Sequence, residues 1–86
     1  MSTRVEWTGQ ALRDVCRLGR PIRERVLQAV ERLAATGDGD VVRLAPPLTG
    51  FRLRVGDWRV SFERDTDEDA ITIRRVRQRR EAYRAD

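Results

Sequence analysis

The stretch Phe51-Arg-Leu-Arg-Val-Gly-Asp-Trp-Arg-Val-Ser-Phe62 decides the fold. Two alternating runs flank Gly56-Asp57, a pair suited to a two-residue turn with positive φ, so the segment reads as a β-hairpin. With Gly56 and Asp57 as the turn, the register follows: Val55 faces Trp58, Leu53 faces Val60 and Phe51 faces Phe62. Side chains alternate along a strand, so these six share one face, which is apolar and predicted to be core. The same register sets Arg54 opposite Arg59 and Arg52 opposite Ser61 on the other face.

Downstream, an acidic loop, Asp65-Thr-Asp-Glu-Asp69, separates this hairpin from Ile71 and Ile73, whose alternation predicts a third strand, followed by a basic tail from Arg74 to Tyr83. Upstream, Val5 and Trp7 alternate with Arg4 and Glu6 as a short strand before Thr8, a suitable helix N-cap. Ala11, Leu12, Val15 and Leu18 recur at helical spacing until Gly19; Pro21 then opens a second helix with Ile22, Val26, Ala29, Val30 and Leu33 along one stripe, stopped by Thr36 and Gly37. The short connection predicts an antiparallel helix hairpin. Residues 37–49 hold two Gly and two Pro and read as a loop, with Val41, Val42 and Leu44 able to tuck under the domain. The sum is an α+β class fold: an N-terminal strand, a two-helix hairpin and a three-stranded antiparallel meander, with the helices covering the apolar face of the sheet.

The 86 residues leave room for a single domain, 1–86. With 40% apolar and 37% charged residues the chain has enough Val, Leu and Ile to fold, which argues against disorder. Its 18 cationic residues are all Arg, with no Lys and no His, and the isoelectric point is near 10.8. Guanidinium forks grip phosphate or carboxylate bidentately, so an acidic partner is expected. The one cysteine, Cys16, excludes an internal disulfide, and no Cys/His cluster exists to hold zinc; no metal and no cofactor are expected. No apolar run is long enough to span a bilayer and Met1 to Trp7 lacks a secretory apolar stretch, so the expected location is the cytoplasm, with no membrane partner.

The charge is concentrated on the sheet half. Segments 49–62 and 71–86 carry nine Arg against three acids, whereas residues 1–48 carry eight Arg against six. Like charges facing each other in a sheet are destabilising, so Arg54 opposite Arg59 with Arg52 nearby asks for a functional reason, against the plainer reading of a solvated face paired with Glu81 and the acidic loop. Arg74, Arg75, Arg77, Arg79 and Arg80 follow the third strand and are placed to line the same face or its rim, as a phosphate or acidic-peptide site. Tyr83 offers a phenol that could stack on a base, bind a phosphate, transfer a proton or simply pack on the core edge. Trp7 and Trp58 fall at apolar strand positions and read as core, and Cys16 reads as packing, since no His is present to activate it.

These residues resemble a known family. Leu48-Thr-Gly50 followed by Phe51 to Phe62 is similar to the "L.G..YRLRVGDYRV.Y" core of RelE/ParE toxins, and Ile71-Thr-Ile-Arg-Arg-Val76 with Arg79-Arg-Glu-Ala-Tyr83 is similar to the closing "I.I..V.HRREVY". The resemblance implies a toxin of a type II toxin–antitoxin pair, neutralised by a cognate antitoxin protein that wraps it through a helix in an apolar groove and an extended segment beside the sheet. For RelE-like members it further implies a ribosome-dependent endoribonuclease, an mRNA interferase that inhibits translation by cleaving mRNA with the 2′-hydroxyl as nucleophile. Carried over residue by residue, Arg59 stabilises the charged transition state, Arg77 sits near the leaving oxygen, Tyr83 stacks on or orients the nucleotide, and Arg52 and Arg54 hold the mRNA backbone; Arg74, Arg79 and Arg80, by their place in the basic tail, are expected to bind RNA beside them. Two departures bear on this: Arg52 and Arg54 stand where RelE-type enzymes often have Lys, and Gln78 where many relatives have His. No ordinary general base then remains. The resemblance therefore also admits a ParE-like inhibitor of DNA gyrase, which needs no catalytic constellation, and the charge alone admits a non-toxic nucleic-acid-binding module.

Overall fold

The computed structural model describes residues 3–80. Five strands and two helices follow one another in the order β1 (Arg4–Trp7), α1 (Gly9–Cys16), α2 (Arg20–Thr36), β2 (Asp40–Arg43), β3 (Phe51–Val55), β4 (Trp58–Asp65) and β5 (Ala70–Gln78). They form one mixed sheet in the order β1-β5-β4-β3-β2, parallel between β1 and β5 and antiparallel elsewhere. The expected α+β class holds.

The hairpin forms in the expected register, with Val55 opposite Trp58, Leu53 opposite Val60 and Phe51 opposite Phe62. Gly56 carries the positive φ, at 59°. The face so assembled is the core: Leu53, Val60, Phe62, Ile71 and Ile73 are almost wholly buried, covered by Val26 and Val30 of α2. Trp7 and Trp58 are half-buried against this cluster. Fully burying a side chain the size of Phe62 contributes about 1.5–3 kcal/mol, and its ring stacks on Phe51 at 5.5 Å between centroids.

Local rules set the helix ends as expected. Thr8 caps α1 by accepting from the Ala11 N–H (3.1 Å), Pro21 lies in the first turn of α2, and Gly37 ends it in the left-handed conformation with φ 79°. Each helix makes its principal contacts with the sheet, α1 on β5 and β1 and α2 on β1 and β3. Leu12 and Cys16, read as packing residues of α1, are exposed: α1 ends at Cys16, and its inward face is formed by Ala11, Asp14 and Val15.

The segment after Gly37 is more ordered than its Gly and Pro content suggested. Asp40–Arg43 pairs with β3 as a fourth antiparallel strand, placing Val41 beside Leu53 on the core side and leaving Val42 exposed. Gly50 is required where this segment meets β3: its φ is 91°, and a Cβ there would lie 2.6 Å from the Phe62 carbonyl oxygen.

Candidate nucleic-acid interface

The face of the sheet opposite the core is built from two rows of residues in register. Asp40, Arg54, Arg59 and Arg77 form one row across β2, β3, β4 and β5; Val42, Arg52, Ser61 and Arg75 form the next. Neighbouring strands lie about 4.8 Å apart, so Arg54, Arg59 and Arg77 cover roughly 10 Å of sheet. Five Arg and Asp40 thus stand within two adjacent rows.

A β-bulge puts β5 into this arrangement. Ser61 pairs with Arg75 and Phe62 with Ile73, so Arg74 is an extra residue on β5. Strict alternation from Ile71 and Ile73 would send Arg75 and Arg77 toward the core. The extra residue reverses the parity, so that Val76 is buried with Ile71 and Ile73 while Arg77 falls into the row of Arg54 and Arg59.

The bulge lies where β1 has ended, and α1 takes over the edge of β5. Thr8 N donates to the Ile73 carbonyl (3.0 Å) and Thr8 Oγ1 to the Arg74 carbonyl (3.0 Å). Asp14 Oδ2 accepts from Val76 N (2.9 Å) and Arg75 Nε (2.9 Å), while Asp14 Oδ1 accepts from Gln10 Nε2 (3.2 Å). Burial pushes the Asp14 carboxyl up, but the hydrogen bonds from Arg75, Val76 and Gln10, with the Arg75 charge, outweigh it and hold its pKa below the ordinary 3.8. The sequence reading missed Asp14. The signal was present, as an acid three residues after Ala11 and four before Leu18, within the stripe that packs inward.

The positions picked from sequence are placed as follows. Arg52, Arg59 and Arg77 are only 9%, 7% and 7% exposed, so they form an enclosed centre and not a solvated fringe. Arg59 Nη1 donates to the carbonyls of Gly56 (2.8 Å) and Trp58 (2.9 Å), which holds it against the hairpin turn. Arg54 is exposed and ion-paired with Asp40. Arg79 donates its backbone N–H to the Asp57 carbonyl (2.7 Å), and its side chain lines, with Asp40, Val42, Arg52, Arg54 and Arg59, an open cavity of about 220 Å³. Arg74 stands apart at the bulge, its Nη1 2.9 Å from Glu63 Oε1. Arg80 is exposed, and Tyr83 lies outside the described residues.

Chemically, this face is suited to an anion such as phosphate or carboxylate. The convergence of its guanidinium groups offers electrostatic stabilisation of an oxyanion. No group of three or more metal-ligating side chains occurs among the described residues. Nor is any helix among them long and apolar enough to cross a membrane.

The family model describing the ParE toxin of the type II toxin–antitoxin system parDE matches residues 5–83. The chain belongs to this family. Among solved structures, the toxin is similar to a chain of the RelBE2 toxin–antitoxin complex of Mycobacterium tuberculosis, with 26% identity and a TM-score of 0.82 over 92% of this chain and 93% of that one. A chain of the archaeal RelE–RelB complex of Pyrococcus horikoshii matches with 25% identity and a TM-score of 0.77 over 92% and 97%. A mutant E. coli RelE toxin in the free state shares the fold at 17% identity, with a TM-score of 0.71 over 98% and 90%. No curated protein matches the sequence. The expected resemblance to RelE/ParE toxins is thus borne out along nearly the whole chain, and the toxin is a RelE/ParE-family member.

Proposed function

We propose that this toxin cleaves mRNA in the translating ribosome and is neutralised by a cognate antitoxin. The observation that carries this reading is the enclosed centre of Arg52, Arg59 and Arg77, flanked by Arg54 and Arg79 on the open face of the sheet. Guanidinium groups gathered on one face offer bidentate contacts to a phosphodiester and suit the negative charge that develops on it. In the proposed reaction the RNA 2′-hydroxyl attacks the adjacent phosphorus and gives up its proton to solvent. The bond from phosphorus to the 5′ oxygen breaks, and that oxygen takes a proton from solvent, leaving a 2′,3′-cyclic phosphate and a 5′-hydroxyl. Arg59 and Arg77 stabilise the charge gathered on the phosphorane-like transition state, and Arg52 and Arg54 hold the backbone on either side. Tyr83 orients the nucleotide, and Arg74, Arg79 and Arg80 extend the RNA-binding surface. The toxin acts in the cytoplasm, where its substrate and antitoxin are.

Antitoxin binding is supported by the similar chains described in complexes with RelB proteins. Positive charge on the sheet face suits an acidic antitoxin segment, which would exclude RNA by occupying the same cations.

A second reading, a ParE-like inhibitor of DNA gyrase, is favoured by the tethering of Arg59 to the turn carbonyls and by the lack of Lys and His in the whole sequence. Expression of the toxin alone, with mapping of mRNA 5′ ends and assay of plasmid supercoiling within minutes, separates the two. New ends inside translated codons that vanish when initiation is blocked are expected. Intact mRNA with lost supercoiling would overturn the nuclease in favour of the gyrase reading.

A further inference from the structure

A second cavity, of about 270 Å³, opens beside the cationic face, between the 44–49 segment and the bulged part of β5. One wall is apolar, from Leu44, Pro47 and Leu48; the other carries Arg74, Arg75 and Arg77. Ser61 brings a hydroxyl to its lining. The volume lies just under the ~300–1,000 Å³ of drug-sized ligand sites, a size suited to one small, half-apolar, half-anionic group.

The cavity is held open by structure on both sides. Leu48 N donates to the Ala45 carbonyl (3.0 Å) and Leu44 N to the Gly50 carbonyl (3.0 Å), fixing the apolar wall. Glu63 Oε1 accepts from both Thr49 Oγ1 (3.3 Å) and Arg74 Nη1 (2.9 Å), bridging that wall to the bulge. On the cationic side, Asp14 holds Arg75, and the bulge brings Arg77 to this face. Arg77 belongs both to this lining and to the row of Arg54 and Arg59, so the cavity lies beside the place proposed for the scissile phosphate.

We propose that this cavity binds a single nucleotide of the RNA next to the cleaved bond, and that it sets the toxin's base preference. A planar base packs on Leu44, Pro47 and Leu48 through its π-face, and its phosphate meets Arg75 and Arg77. The Ser61 and Thr49 hydroxyls are the neutral hydrogen-bonding side chains of the lining and read the base edge. This inference rests on the RNA-cleavage reading above.

The test has two arms. In the first, the full-length toxin is titrated with AMP, CMP, GMP, UMP and inorganic phosphate while its backbone amides are followed by NMR. Saturable shifts at residues 44–49, 61 and 74–77 are expected below ~10 mM for at least one nucleotide, several-fold tighter than for phosphate. They should be lost in Leu48→Trp, which fills the cavity from a half-exposed position. Phosphate binding as well as the nucleotides, or unchanged nucleotide binding by Leu48→Trp, would overturn the proposal; if the Trp variant does not fold, Leu48→Ala, which strips the apolar wall from the base, should bind the nucleotide several-fold more weakly, and unchanged binding there would overturn it equally. In the second arm, cleavage sites are mapped in a translating extract for wild type and Leu48→Ala. A changed base distribution at one position next to the cut is expected, whereas an identical distribution at an unchanged rate would sink the specificity role. Cleavage without nucleotide binding refutes the cavity and leaves the nuclease standing; nucleotide binding without cleavage refutes the nuclease and the base-preference role with it, leaving only a nucleotide-binding cavity.

Discussion

Replacing Asp14 removes the acceptor that joins α1 to the bulged edge of β5. In the wild type its carboxylate takes hydrogen bonds from Arg75 Nε and the Val76 N–H, each at 2.9 Å, and Asp14 is nearly buried. Hydrogen bonds to a charged group contribute about 1.5–3 kcal/mol each, and a buried N–H left without an acceptor costs about 1–3 kcal/mol. Because these terms overlap, Asp14→Ala is expected to lose roughly 3–4 kcal/mol in total. Asp14→Asn keeps an acceptor for Val76 but gives up the charge toward Arg75, and should lose about 1–2 kcal/mol. For a domain of this size each kcal/mol lowers Tm by roughly 4–8 °C, well within calorimetric reach. The pH dependence provides the sharper criterion. The Asp14 pKa is depressed in the folded state, so its contribution is complete above the ordinary 3.8 and is lost as the pH falls through the lower folded value. The gap in stability between wild type and Asp14→Asn should therefore be constant near neutrality and narrow below about pH 4. A gap that is absent at pH 7, or that persists undiminished at pH 2, would refute the assignment of Asp14 as the charged anchor of the bulge.

Gly50→Ala should cost more than about 2 kcal/mol in urea unfolding, because the new Cβ meets the Phe62 carbonyl in a positive-φ conformation; a neutral result would mean that the 44–50 segment repacks freely. Arg54→Ala should change stability by less than ~1 kcal/mol, since its ion pair with Asp40 is exposed, while the slope of log K against log salt for binding single-stranded RNA falls by about 0.7. Loss of folding in that variant, or an unchanged salt slope, would contradict the proposed role of Arg54 in binding the RNA backbone. Arg59→Ala should abolish mRNA cleavage and, by leaving the Gly56 and Trp58 carbonyls without their guanidinium donor, should also lower stability by about 1–2 kcal/mol; cleavage that survives in the folded variant would remove Arg59 from the reaction.

The parts of the fold legible in the sequence were those set by short-range rules. A two-residue turn and strict alternation determine a hairpin register, and for that reason the pairs from Phe51–Phe62 to Val55–Trp58 could be read directly. Thr8, Pro21 and Gly37 mark helix ends through local backbone chemistry. The strand Asp40–Arg43 was not legible: it spans four residues, one of its two adjacent valines faces the core and the other solvent, and it exists because β3 offers an edge that is distant in sequence. The parallel pairing of β1 with β5 is likewise non-local, joining Val5 to Ile71 across the whole chain. The exposure of Cys16 depends on where α1 ends, which its apolar spacing alone did not determine.

The cationic face shows the same division. That Arg54 opposes Arg59 followed from the hairpin, but nothing local required Arg77 to join them. The one trace is a break in parity: Ile71 and Ile73 are two apart, whereas the next inward residue, Val76, is three further on. Such a break is compatible with the end of a strand as much as with a bulge, and only the acceptors and donors of α1 decide between them. Thr8 and Asp14, some sixty residues upstream, satisfy the Ile73 and Arg74 carbonyls and the Val76 N–H that β1 leaves behind. Backbone groups at an edge must find partners, and here finding them fixes the offset of one residue that turns Arg77 from the core to the cationic face. The first helix thus contributes to the cationic face by holding Arg75 through Asp14 and by deciding which side of the sheet the third strand of the meander presents.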